Sequence, residues 1–166
     1  MSLANEEFAR VIDATPLVSI DLVLRNPQRE VLLGRRSNRP AQGWWFVPGG
    51  RIRKNEPVQE AFKRIAQTEL GLALAPPRVL GVFDHIYEDN YFGMPGLSTH
   101  YVVVACEAEI GAGCAIRADA QHAELKWWPV ARLLASAEVH DNTKLYFRAA
   151  AGNGFRCISE HEEQAG

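Results

Sequence analysis

Nothing in this chain approaches the ~20 consecutive apolar residues of a membrane-spanning helix, and no basic-then-apolar leader opens it. The expectation is a cytoplasmic protein with no membrane partner. Basic blocks are missing as well. The 18 Lys and Arg stand against 20 Asp and Glu, and a formal charge of -2 argues against nonspecific nucleic-acid binding. Cysteine is scarce: Cys106, Cys114 and Cys157 are odd in number and lack zinc-like spacing, so reduced thiols are expected. There are no repeats or linkers, and 47% hydrophobic with 23% charged residues excludes disordered and fibrous classes. At 166 residues, one domain with a real core is the natural size.

Positive charge is nonetheless concentrated. Arg35, Arg36, Arg39, Arg51, Arg53 and Arg64 crowd the central third, where they can bind an anion. An N-terminal arm, residues 1–14, contains helical spacing of Phe8, Val11 and Ile12. Leu17 to Arg25 reads as a strand entering the Asn26-Pro27 turn, with Glu30 to Arg35 as its hairpin partner. Trp44 to Val47 is a short strand running into Pro48-Gly49-Gly50, where glycine permits close backbone approach. A helix follows, with Asn55 as N-cap, Pro57 in its first turn and Gly71 as its C-terminal stop. Val79 to Tyr87, His100 to Ile110 and Ala123 to Trp128 are further strands, and Val130 to Ala135 and His140 to Ala151 are helical. The domain is expected over 1–152, with a polar tail over 153–166. This order predicts an α/β fold, a mixed sheet packed between helices.

The spacing of Gly50, Glu56, Arg64, Glu69, Gly71 and Leu72 resembles the Nudix box, whose known fold is an α/β/α sandwich with a mixed β-sheet. Two positions depart from it. Ile65 and Thr68 stand where that family has metal-binding glutamates. Helical steps of three and four put 65, 68, 69 and 72 on one face, so that face keeps a single carboxylate. Ile65 can be plain core and Glu69 a solvated helix end. Alternatively Glu69 binds one Mg²⁺ together with a carbonyl of the Gly49-Gly50 turn, the hard oxygen donors that ion takes. Hydrolysis at phosphorus by two metal ions needs a richer acid set. One ion could instead neutralise a diphosphate that departs intact, which moves the attack to carbon. Glu56 and Glu60 sit one turn apart. Glu60 reads as an i,i+4 surface pair with Arg64, which could also reach phosphate oxygens.

Longer strings are similar to one branch of that family, GDP-mannose mannosyl hydrolase. They include Thr-Pro-Leu-Val-Ser at 15–19, Leu-Leu-Gly-Arg-Arg at 32–36, Trp-Phe-Val-Pro-Gly-Gly at 45–50, Thr-His-Tyr-Val-Val at 99–103 and Gln121-His122. The resemblance implies one Mg²⁺ per subunit, held by the Gly49 carbonyl, Glu69 and Gln121, with His122 as the general base for water. It implies that Arg36 stabilises departing GDP, that Arg51, Arg64 and Tyr101 face the diphosphate, and that His85 adds a leaving-group or sugar contact. Asp21 is either a surface-facing strand residue or an acid pointed at the sugar. Leu3 and Phe8 would contact guanine across a homodimer, while Arg35 is a solvated neighbour and His140 and His161 take no role.

The implied activity is Mg²⁺-dependent hydrolysis of GDP-mannose, with GDP-glucose beside it, to GDP and free hexose. Water would attack sugar C1 with inversion, in the manner of an inverting glycosidase. The competing possibilities are a conventional Nudix pyrophosphatase attacking phosphorus and a non-catalytic nucleotide-sugar-binding module.

Overall fold

Residues 4–116 and 122–148 are described by a computed structural model, His122 and Ala123 by backbone alone. The order of elements is α1 (Asn5–Ala14), β1 (Leu17–Arg25), β2 (Val31–Arg36), β3 (Trp45–Phe46), β4 (Gly49–Arg51) and α2 (Val58–Leu70). It continues with β5 (Arg78–Tyr87), β6 (Thr99–Glu109), β7 (His122–Trp128), α3 (Val130–Ala135) and α4 (Asp141–Arg148). Among the described residues no helix is long and apolar enough to cross a membrane. Leu3, Gln121 and residues 149–166, including the expected polar tail, lie outside the described residues.

Among the described residues seven strands form one mixed sheet whose main path is β3-β2-β1-β6-β5, with β4 on β1 and β7 on β2. β1 and β6 run parallel from Leu17 beside Tyr101 to Arg25 beside Glu109. The other pairings are antiparallel. The hairpin expected between β1 and β2 is reduced to one register pair, Arg25 with Val31. Beyond that pair the strands diverge, because the segment carrying β3 and β4 is wedged between them. β3 pairs with β2 at Gly34 and Arg35, whereas β4 pairs with β1 from Ser19 to Asp21. The Leu22 N–H donates to the Pro48 carbonyl at 2.7 Å and closes the inner side of the wedge. The sheet is thereby split, and Gly49-Gly50 sits in the split.

Alternation along β1 sorts the two faces. Ile20, Leu22 and Leu24 pack with Phe62, Ile65, Ala66 and Leu70 of α2. Val23 packs the other way, with Val31, Leu33, Phe83, Trp128, Leu133 and Tyr146 under α3 and α4. A smaller cluster of Ile12, Leu17 and Leu97 seats α1. Helices thus cover both faces, the α/β/α sandwich expected.

Helix α2 ends at Gly71, which adopts the left-handed conformation (φ 69°) and donates its N–H back to the Gln67 carbonyl. Its start differs from expectation. The N-cap is Pro57, and Asn55 takes a left-handed φ of 63° in the preceding turn. That turn is closed by the Glu56 carboxylate accepting the Arg53 N–H at 2.9 Å, which makes a cap at Asn55 unnecessary.

Candidate functional site

The candidate residues gather on two flanks of the split sheet. On the α2 flank, Arg64 grips Glu56 with two hydrogen bonds, Nε to Oε1 at 2.6 Å and Nη2 to Oε2 at 2.8 Å. Nη2 also donates to the Arg51 carbonyl at 2.9 Å, fastening the box loop to the helix. These bonds hold the Glu56 carboxyl down at about 2. The expected Glu60–Arg64 pair does not form, since Glu56 captures Arg64 and Glu60 pairs with Lys63 at 2.9 Å.

Glu69 is buried near Arg64, whose charge it supports. Ile65 is fully buried, and a Cβ on Gly50 would stand 3.2 Å from its Cγ1. Thr68 departs from the expected common face and is exposed, because a three-residue step falls 60° short of a turn. Of the box positions 65, 68 and 69, one therefore supplies a buried acid.

Gly49 lies directly against Asp21. A Cβ there would come within 2.6 Å of both Asp21 Oδ1 and the Ile20 carbonyl, so only glycine fits this approach. Among the described residues no group of three His, Cys, Asp or Glu side chains is placed to hold a metal ion. The Gly49 backbone and Glu69 supply carbonyl and carboxylate oxygen, a donor set compatible with a hydrated Mg²⁺. Gln121, the third expected ligand, lies outside the described residues.

The other flank is built around Asp21. Strand alternation turns Asp21 away from Ile20 and toward α4, where the Tyr146 hydroxyl donates to Oδ2 at 2.6 Å. The same hydroxyl meets His85 Nε2 at 3.1 Å. Burial lifts the Asp21 carboxyl to about 6, against opposing contributions from Tyr146 and Arg36. Burial lowers His85 to about 3, so its ring is neutral throughout the ordinary pH range. With Tyr146 donating to an ionised Asp21, His85 Nε2 must carry the proton in its own bond to Tyr146. A neutral His85 can donate a hydrogen bond but brings no positive charge to a leaving group.

Arg36 is re-aimed by a register shift in the β2–β7 pairing between Arg35 and Arg36. Arg35 is exposed, as expected, whereas Arg36 is half-buried. Arg36 Nε donates to the Pro40 carbonyl at 3.0 Å, and its guanidinium lies over Phe46, 5.4 Å from the ring centroid. The backbone of His122 pairs with Arg36, which places the start of β7 at this flank.

Tyr101 and Tyr87 are neighbouring rings, 6.4 Å apart, and burial raises both hydroxyls, Tyr87 most strongly. Arg51 is exposed, with its guanidinium 4.1 Å from the centre of the Phe8 ring. Phe8 also meets Tyr91 and Phe92 edge-on, at 6.4 and 5.8 Å.

Four residues of this flank carry no role in the sequence reading: Tyr87, His140, Asn142 and Tyr146. His140 stacks on Phe46 at 4.6 Å and lies 5.7 Å from Tyr87. Burial holds it down at about 4. The available signal was the four-residue step from Asn142 to Tyr146, which sets two polar groups on the sheet-facing side of one helix.

The NUDIX domain description matches residues 15–149. The chain belongs to the Nudix family. This Nudix chain is 39% identical over 125 residues to the low-salt glycan biosynthesis protein Agl8 of Haloferax volcanii, covering 75% of the chain and 78% of that protein. Among solved structures it resembles a MutT NUDIX hydrolase from Burkholderia pseudomallei. There the TM-score is 0.66 and the identity 27%, over 81% of this chain and 97% of that one. A MutT protein from Methanosarcina mazei shares the fold with a TM-score of 0.68 at 20% identity, over 81% of this chain and 93% of that one.

Proposed function

We propose that this Nudix protein hydrolyses a GDP-hexose, GDP-mannose and with it GDP-glucose, at sugar C1, releasing GDP and free hexose with inversion. The carrying observation is the fully buried Ile65 under Gly50, which leaves Glu69 as the buried acid of the box helix. Attack at phosphorus by paired metal ions draws on several carboxylates at this place, whereas expulsion of an intact diphosphate needs its charge neutralised. Similarity to a protein of glycan biosynthesis supports a nucleotide-sugar substrate.

One Mg²⁺ per subunit, held at Gly49, Glu69 and Gln121, would supply charge neutralisation for the departing diphosphate. Arg36, steadied by the Pro40 carbonyl and Phe46, meets the same developing negative charge with a fixed guanidinium. Arg51, Arg64 and Tyr101 line the path of the diphosphate, Arg64 chiefly by fastening the Arg51 carbonyl. Asp21 places a carboxylate where positive charge grows at the sugar ring, with Tyr146 and His85 fixing its orientation. His122, opposite Arg36, takes the proton of the attacking water. The protein acts as a cytoplasmic homodimer in which the N-terminal arm, with Leu3 and Phe8, reaches the guanine.

Hydrolysis of GDP-mannose in H₂¹⁸O tests the bond cleaved. The expected label is in mannose. Label in GMP or in a sugar phosphate means attack at phosphorus and rejects this function.

A further inference from the structure

We propose that Trp44, Tyr87, His140 and Asn142 form a hexose subsite beside Arg36, in which neutral groups bind sugar hydroxyls and the exposed indole covers an apolar face of the ring. The subsite rests on the nucleotide-sugar reading of the same cleft and adds the residues that hold the sugar.

His140 is pinned from several directions. Its N–H donates to the Trp45 carbonyl at 3.2 Å, and its own carbonyl accepts the Thr143 and Lys144 N–H groups at 3.1 and 3.3 Å. Nδ1 accepts the Asn142 N–H at 3.2 Å, so the ring itself caps the start of α4. A neutral imidazole that accepts at Nδ1 carries its proton on Nε2, and this ring is held neutral by its surroundings. Phe46 against one face and Trp44 edge-on at 5.2 Å fix its orientation. His140 thus offers a single hydrogen-bond donor on a rigid mount.

Asn142 is the second, independent observation. It is 9% exposed, and its Nδ2 completes no hydrogen bond within the protein. The amide faces the Tyr87 hydroxyl as a weak donor, the contact that favours that group's ionised form. A buried amide donor met this weakly is unfavourable, and a ligand hydroxyl seated beside Tyr87 would satisfy it. Trp44 is 41% exposed, the most open of the rings in this belt. Hydroxyl acceptors beside apolar C–H faces are the surface of a hexose. Of the two cations nearby, Lys144 pairs with Asp141 at 3.4 Å and Arg36 is committed to the diphosphate side.

Equilibrium binding of GDP, GDP-mannose and GDP-glucose to Asn142→Ala and Trp44→Ala tests this, with Ca²⁺ replacing Mg²⁺ to slow turnover. Each variant is expected to weaken both GDP-hexoses about tenfold while leaving GDP unchanged. Equal weakening of GDP would make these residues nucleotide contacts and overturn the subsite, as would unchanged GDP-hexose binding. Should Asn142→Ala fail to fold, the exposed Trp44→Ala carries the test alone. Label in phosphate with the binding difference intact would reject carbon attack and uphold the subsite. Label in mannose without a binding difference would do the reverse.

Discussion

The two flanks of the sheet treat charge in opposite ways. On the α2 flank ionised groups hold one another ionised: Glu56 is pulled to about 2 by Arg64, and Arg64 is raised in return. On the α4 flank burial drives charge out: Asp21 rises to about 6, while His85 and His140 fall to about 3 and 4. A fixed array of charge suits a diphosphate, which is anionic before and after reaction. Neutral donors around one carboxylate that titrates in the working range suit an uncharged ring on which charge appears transiently. Chemistry at the junction of sugar and diphosphate needs both, and the wedge at Gly49 brings the two flanks to one edge.

Mutation can break this division, and the largest effect is expected at the carboxylate of the box helix. Under the proposed mechanism Glu69→Gln should cut kcat by about 10³-fold, since several kcal/mol of charge stabilisation at the metal would depend on it. Steady-state rates at low and saturating Mg²⁺ check this, and near-native activity at low Mg²⁺ would remove Glu69 from the site. His122→Ala comes next. A loss of about 10²-fold or more in kcat with little change in KM is expected, together with loss of the ascending pH limb. Recovery at high Mg²⁺ with that limb intact would mean that His122 only supports the metal.

Smaller effects separate the flanks by their pH dependence. Asp21 is raised in the folded state, so its contribution to stability is complete below about 4 and is lost as pH rises through about 6. Asp21→Asn should therefore raise Tm at pH 7–8, with no gain near pH 3.5. Thermal melts across this range decide it, and a lower Tm at pH 8 would contradict the assigned strain.

Glu56 has the opposite sign. Its carboxyl is lowered, so the Arg64 pair stabilises above pH 4.5 and that contribution disappears as pH falls toward 2. Arg64→Ala should cost about 1 kcal/mol at neutral pH, an allowance that includes solvent screening. The gap to the parent protein should close in acid. A gap that stays constant from pH 7 to pH 2.5 would show that Arg64 acts through packing and its bond to the Arg51 carbonyl rather than through Glu56.

Local patterns were legible where one element carried its own signal. The apolar period of α2 and its glycine stop fix that helix, whereas the pattern of β1 left Asp21 open between the surface and the site, a choice the Tyr146 bond decides. Arg36 and Tyr101 were singled out through motifs, and Glu69 through the ruler of the box. Tyr146 was not, because an aromatic residue in a helix ordinarily reads as core, and its partner Asp21 lies 125 positions away. His140 and Asn142 stand in no motif, and their chemistry arises only when α4 docks beside Phe46 and Tyr87. The wedge was missed for a similar reason. The Asn26-Pro27 turn announces a hairpin, while the segment that pries the hairpin open comes later in the chain.

That wedge also makes the site a reporter on its own cohesion. Beyond the β1–β4 ladder, two amide hydrogens at its ends pin it to β1, those of Leu22 to the Pro48 carbonyl and Ile52 to the Val18 carbonyl. Either half of the sheet could open at the wedge while keeping its remaining strand pairs, so the cleft is positioned to unzip before the body of the protein melts. In hydrogen exchange, Leu22 and Ile52 should trade deuterium ahead of their β1–β6 neighbours. A ligand bridging the flanks would slow those two amides first.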